Sequence, residues 1–247
     1  TGGTGRGGRV VVESTGTDAG IGITVAGNTK LTANGKGGKG PQGGLGQGGR
    51  ARLVAYGGVI NLGTDSGTQN ILIQANGTGG DATMGATATV GTGTGGTGRG
   101  GIAGIYANVQ EGEVGISATG TITGEAATVS ADGFGGAGGA GNGNNTVAGT
   151  GGDAYGGMYT DVETGGGAFV LSHVGGGSLT LASVTMSASG VGGAGGAGAA
   201  GEVGGNGGDG FGGTVQSGNY DLATTISGET IITGNLTMNA IGTGVSG

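Results

Sequence analysis

Short runs of alternating apolar and polar residues recur along this chain, each ending beside a glycine or a small polar residue. They include Leu31-Thr32-Ala33-Asn34-Gly35, Ile71-Leu72-Ile73-Gln74-Ala75-Asn76-Gly77 and Ala127-Thr128-Val129-Ser130-Ala131-Asp132-Gly133. Val184-Thr185-Met186-Ser187-Ala188-Ser189-Gly190 and Leu236-Thr237-Met238-Asn239-Ala240 complete the set. Alternation with a period of two places Val, Ile, Met and Ala on one face of a strand and Thr, Ser and Asn on the other. Other short runs, such as Ile116-Ser117-Ala118, Thr121-Ile122-Thr123, Phe169-Val170-Leu171 and Ser178-Leu179-Thr180-Leu181, lie upstream of the closing strands. The pattern predicts an all-β chain.

The runs belong to a repeat. Gly-Gly pairs precede a strand-like segment at Gly7-Gly8, Gly48-Gly49, Gly100-Gly101, Gly156-Gly157 and Gly212-Gly213, spaced by 41, 52, 56 and 56 residues. The octapeptide Thr1 to Gly8 returns letter for letter as Thr94 to Gly101. About three short strands separated by Gly, Asn and Asp turns make one coil of a parallel β-helix, and such coils gain stability only by stacking. The expectation is a single solenoid domain over 1–247, with five coils beginning near residues 7, 48, 100, 156 and 212. At ~4.8 Å per coil it stands ~24 Å tall, with two open ends.

Glycine tracts follow each closing strand, at Gly35 to Gly49, Gly77 to Gly101, Gly133 to Gly157 and Gly190 to Gly213. Within them Gly135-Gly136-Ala137-Gly138-Gly139-Ala140 and Gly192-Gly193-Ala194-Gly195-Gly196-Ala197 repeat every three residues. Three residues per turn is the period of a polyproline II-type helix, and glycine lets such helices pack closely. The tracts are expected to stack, one per coil, as a polyglycine II-like layer on one side of the β-helix; mobile surface loops are the alternative.

Composition sharpens this picture. With 76 glycines but one proline, Pro41, and no strict Gly-X-Y period, collagen is excluded. A hydrophobic fraction of 33% in alternating runs argues against a disordered polymer. No apolar stretch is long enough to cross a bilayer as a helix. Without cysteine there is neither a disulfide framework nor a thiolate metal site. The opening, in the middle of a glycine tract and without an initiating Met, reads as a processed product or a window on a longer chain. Charge is split: residues 1–99 hold all eight Lys and Arg against four acids, a net +4, and the remainder holds eleven acids and no Lys or Arg.

The Gly79-Gly80-Asp81-Ala82 and Gly151-Gly152-Asp153-Ala154 tracts, with the run Gly177 to Gly190, resemble large glycine-rich bacterial surface proteins. These are adhesins of the filamentous-haemagglutinin and autotransporter-passenger type. The resemblance covers nearly the whole chain and is one of style rather than of a single motif. It implies a right-handed parallel β-helix, secretion to the cell surface, and a role in adhesion or biofilm. The long glycine tracts depart from the compact coils of that family.

Candidate chemistry is sparse. Gly204-Gly205-Asn206-Gly207-Gly208-Asp209-Gly210-Phe211-Gly212 fits a calcium-binding nonapeptide, with weaker copies around Asp153 and Asp81. Calcium needs 6–8 oxygens from tandem turns. These aspartates are 72 and 56 residues apart, which favours a turn-stabilising role for Asp209 and Asp153 and leaves calcium as the alternative. No other cofactor is implied. His173 is the only histidine and lies in no catalytic motif. Glu111 with Glu113, and Asp161 with Glu163, pair carboxylates on strand faces, more simply read as solvated edges. Glycine-loop matches to phosphate sites lead into no helix and lack the P-loop lysine. The few aromatics and negative net charge speak against nucleic acid. A Thr row at Thr83, Thr87, Thr89 and Thr92 is too irregular for an ice-binding face, and three Asn-x-Thr sequons are expected by chance in this composition.

The function expected is structural rather than enzymatic. The chain reads as an extracellular fibre or stalk segment that continues into more coils or pairs head to tail with copies of itself. The alternative is an adhesive module that binds a glycan or surface receptor through Tyr106, Tyr155, Tyr159 and Tyr220.

Overall fold

A computed structural model describes residues 1–16, 22–63, 69–83, 93–108, 119–141, 143, 148–157, 166–173, 176–220 and 228–246, with Tyr220 described by its backbone only. Among these residues there is no helix, and every ladder between strands is parallel. The strands fall into four sheets.

Sheet I stacks Gly5–Arg6, Gly46–Gln47, Gly98–Arg99, Ala154–Tyr155 and Gly210–Phe211. Sheet II stacks Arg9–Thr15, Arg50–Tyr56, Ile102–Ala107, Gly167–His173 and Thr214–Tyr220. Sheet III contains the ten-residue strands Thr121–Ser130 and Ser178–Ser187. Its other members are split pairs: Gly22–Val25 with Thr29–Thr32, Val59–Leu62 with Asn70–Gln74, and Glu229–Ile232 with Leu236–Asn239. Sheet IV stacks Gly35–Lys36, Gly77–Thr78, Gly133–Phe134, Gly190–Val191 and Gly242–Thr243. The chain therefore passes through sheets I to IV five times, and each pass lies in register on the one before.

That register turns the sequence alternation into columns. Leu31, Ile73, Val129, Met186 and Met238 are successive partners in sheet III, and Val12, Leu53, Ile105, Val170 and Ser217 in sheet II. The inward columns of the two sheets merge into one apolar cluster containing Leu53, Ile60, Ile73, Ile105, Ile122, Val129, Leu179 and Met186. Sheet II alternates small and large inward residues (Ala51, Leu53, Ala55; Ala103, Ile105, Ala107), which lets the larger aliphatics of sheet III fill the space opposite. Each fully buried aliphatic contributes ~1.5–3 kcal/mol, set against the entropy of ordering the chain.

Sheet II is also covered on its other face. Val54, Tyr106 and Leu171, consecutive in one outward column, form a second buried cluster with Val11, Tyr56 and Phe169 around it. The two strands Arg50–Tyr56 and Ile102–Ala107 carry apolar residues at both parities, as strands buried on both faces do.

At the exit of sheet III a polar ladder runs up the stack. Asn34 Oδ1 accepts the backbone N–H of Asn76, Asn76 Oδ1 that of Asp132, and Asp132 Oδ1 that of Ser189, each at 2.8 Å. Ser189 Oγ accepts the N–H of Ile241 at 3.3 Å, and Ile241 has no side-chain acceptor to extend the ladder.

The glycine tracts form a hydrogen-bonded layer of their own. Gly135, Gly138 and Gly141 donate to the carbonyls of Val191, Ala194 and Ala197 one unit further on, at 2.8–2.9 Å, so the bonding repeats every third residue. Intervening glycines bond sideways in a zigzag between outgoing and returning tracts. Gly44 donates to Gly38, Gly80 to Gly44, Gly96 to Gly80, Gly136 to Gly96, Gly152 to Gly136, Gly193 to Gly152 and Gly208 to Gly193, all at 2.8–2.9 Å. The described parts of the tracts are therefore tied to one another by backbone hydrogen bonds. Glycine is required there by close approach: a Cβ at Gly96 would run into the Gly44 carbonyl oxygen, and one at Gly136 into that of Gly80. Neither residue has a positive φ.

Candidate functional site

The most distinctive surfaces are the two edges of the stack. In all four sheets the first-unit and last-unit strands have a neighbour on one side only among the described residues. A strand edge of this kind offers a row of backbone donors and acceptors to another chain. The two edges differ. In the first unit Leu31 and Ala33 are buried, and Val10, Val12, Ile23 and Val25 are half-buried against the core. In the last unit Met238 is 43% and Leu236 46% exposed, although their column predecessors Met186 and Val184 are buried.

Part of the last unit is polar and internally satisfied. Ser172 Oγ donates to Asn219 Oδ1 at 2.6 Å, Asn219 Nδ2 to the Gly228 carbonyl at 2.8 Å, and Thr230 Oγ1 to the Gly218 carbonyl at 3.0 Å. The inward columns thus end on Ser217, Asn219 and Thr230 in one corner and on Ile232, Leu236 and Met238 in the other.

Of the candidate tyrosines, Tyr106 lies in sheet II and Tyr155 in sheet I. Tyr106 is only 8% exposed. It lies across Gly104, where a Cβ would collide with it, and packs 6.4 Å from Phe169, with the Arg52 guanidinium 5.4 Å from its centroid. Tyr155 is in sheet I, in the column Arg6, Gln47, Arg99, Tyr155, Phe211. Its ring stacks on Phe211 at 4.8 Å and 9°, and Arg99 lies 5.7 Å from its centroid. Both neighbours in the column therefore engage Tyr155, and Phe211 remains 45% exposed beyond it. Tyr220 ends the last strand of sheet II, paired through its backbone with His173. Tyr159 lies outside the described residues, as do Glu111, Glu113, Asp161, Glu163, Thr87, Thr89 and Thr92.

The aspartates are closer than their sequence separation suggests. Asp153 and Asp209, 56 residues apart, are one rung apart, and Asp153 Oδ1 accepts the Asp209 N–H at 3.1 Å. Fifty-six residues is one full pass of the chain, so sequence distance was no measure of spatial distance here. Asp81 instead accepts the Ala137 N–H at 3.2 Å and pairs with Lys39 at 2.8 Å. The hydrogen bond to Lys39, then that from Ala137, hold the Asp81 carboxyl below its ordinary range, and the same pairing raises Lys39. Among the described residues no group of three His, Cys, Asp or Glu side chains could hold a metal ion, and no helix is long and apolar enough to cross a membrane.

No family model matches the chain, and neither a curated protein nor a solved structure matches it.

Proposed function

We propose that this chain is a structural segment of an extracellular bacterial fibre or stalk. In this reading it is a parallel β-solenoid of five coils, flanked by a layer of polyglycine II-type helices, that assembles end to end through its open strand edges. The solenoid reading is supported by ladders that join only equivalent positions of successive passes, in all four sheets. The helical reading of the tracts is supported by their three-residue bonding period. The setting, at the bacterial surface and in adhesion or biofilm, comes from the resemblance of the glycine-rich repeats to surface adhesins. No catalytic role is proposed.

One observation carries the assembly: core-facing Leu236 and Met238 are open to solvent in the last unit, although the same columns are buried beneath them. An uncovered apolar edge with unpaired backbone groups is stabilised by receiving another strand layer, and a head-to-tail contact that does not close on itself propagates as a filament. The charge split, net +4 before residue 100 and eleven acids after it, favours one polarity of contact.

The test is electron microscopy and sedimentation of the purified chain over a range of concentrations. Unbranched filaments one stack wide are expected. Particles that stay monomeric at every concentration would rule the reading out. At ~1 M salt, where the screening length is ~3 Å, assembly should slow if charge guides it.

A further inference from the structure

We infer that the first-unit edge is built to receive the last unit of a second copy of this chain, in the same register that joins successive units within it. The inference rests on the end-to-end reading above and specifies its joint.

The starting point is a pair of identical octapeptides in different surroundings. Residues 94–101 lie between neighbouring units, and all five of their glycines, Gly95, Gly96, Gly98, Gly100 and Gly101, are buried. Residues 1–8 have the same sequence at the open edge, and none of the corresponding glycines is buried. In the interior two of these glycines face the preceding unit: a Cβ at Gly96 would strike the Gly44 carbonyl and one at Gly101 the Gly49 carbonyl. Their counterparts Gly3 and Gly8 have nothing within 4 Å of a Cβ, and neither has a positive φ. Neither sterics nor backbone conformation among the described residues therefore calls for glycine at these two positions. A layer lying against that edge does.

Continuing the register identifies the layer. The column Gly44, Gly96, Gly152, Gly208 would bring Gly208 of one copy under Gly3 of the next, and Gly213 under Gly8. The N–H of Gly210 would reach the Thr4 carbonyl of the next copy, as Ala154 reaches Asp209 now. Met238 would meet Leu31, Val215 would meet Val10, and Ile232 would meet Val25, extending three core columns across the joint. Arg6 would come over the exposed ring of Phe211, repeating the Arg99–Tyr155 contact of the interior. The ends also carry opposite charge: the first 39 residues hold five Lys and Arg (Arg6, Arg9, Lys30, Lys36 and Lys39) against two acids, whereas residues from 200 onward hold four acids and no Lys or Arg.

Two variants of the full chain test the joint. Gly3→Val with Gly8→Val fills open space in the single molecule, so its thermal midpoint should match the parent, while its critical concentration for assembly should rise at least tenfold. Thr4→Cys with Asp209→Cys supplies the only two thiols. Within one molecule they are four rungs apart, ~19 Å, whereas across the joint they are one rung apart, ~4.8 Å and within disulfide reach. Mild oxidation of assembled material should give a covalent ladder on a non-reducing gel, and the out-of-register pair Thr4→Cys with Thr214→Cys should not. If the parent polymerises, the glycine variant polymerises equally well and no ladder forms, this joint is overturned while the end-to-end reading stands. If the parent never leaves the monomer, both fall.

Discussion

The side-chain oxygen of Asn76 accepts the backbone N–H of Asp132 at 2.8 Å, across 56 residues of sequence. The same oxygen also receives the Ser130 hydroxyl at 3.1 Å. One amide thereby holds two groups of the next pass at the corner where sheet III gives way to the glycine tract. Asn76→Ala leaves the Asp132 N–H without that acceptor in a part-buried site and should cost ~1–3 kcal/mol. Asn76→Asp keeps the acceptor and should cost less. Denaturant unfolding of the two variants measures the difference; equal stabilities would show that the ladder contributes nothing.

Glycine-to-alanine changes should divide by position. Gly96→Ala and Gly136→Ala each drive a methyl into a neighbouring carbonyl and should destabilise by at least ~1–3 kcal/mol, the usual range for overpacking. Gly3→Ala, with open space around it, should leave the thermal midpoint of the single molecule unchanged. Uniform effects at the three positions would mean that the tracts are not packed as described.

Much of this was legible in the chain itself. Period-two alternation identified Leu31, Ile73, Val129 and Met186 as inward residues, and the Gly-Gly pairs marked the corner between sheets I and II. The three-residue glycine repeat matches the spacing of the backbone bonds from Gly135, Gly138 and Gly141. Partners one pass away were harder to see, because a single sequence records only local neighbours. Asn34, Asn76 and Asp132 read as turn residues, although each bonds a residue 42 to 57 positions distant. The separation of Asp153 from Asp209 read as a gap between them. The buried outer face of sheet II had a weak signal, in the apolar residues at both parities of Arg50–Tyr56 and Ile102–Ala107.

Tyr106 should behave as a packing residue. Its ring is nearly covered by its neighbours, so Tyr106→Ala should lose ~3–5 kcal/mol, as truncation of a large buried aromatic does. Thermal unfolding checks this. A variant as stable as the parent but impaired in binding to cells or glycans would return Tyr106 to a recognition role.

The Lys39–Asp81 pair gives a pH dependence of known sign. The Asp81 pKa is lowered from 3.8, so its contribution is complete above that value and fades as pH falls through the depressed pKa. Lys39 is raised from 10.5, and its contribution fades as pH rises through that elevated value. Both side chains are largely in water, so the effect on stability should be small. A carboxyl NMR titration should put the Asp81 midpoint below 3.8 and move it upward in Lys39→Met; no movement would remove the ion pair as the cause.

Helical reconstruction of assembled material by cryo-electron microscopy bears most directly on the whole scheme. Five parallel rungs per subunit at ~4.8 Å should give a rise of ~24 Å per subunit, with strand density unbroken from Gly210–Phe211 of one copy into Gly5–Arg6 of the next. Filaments with an unrelated rise, or subunits meeting side by side with both strand edges still bare, would contradict it.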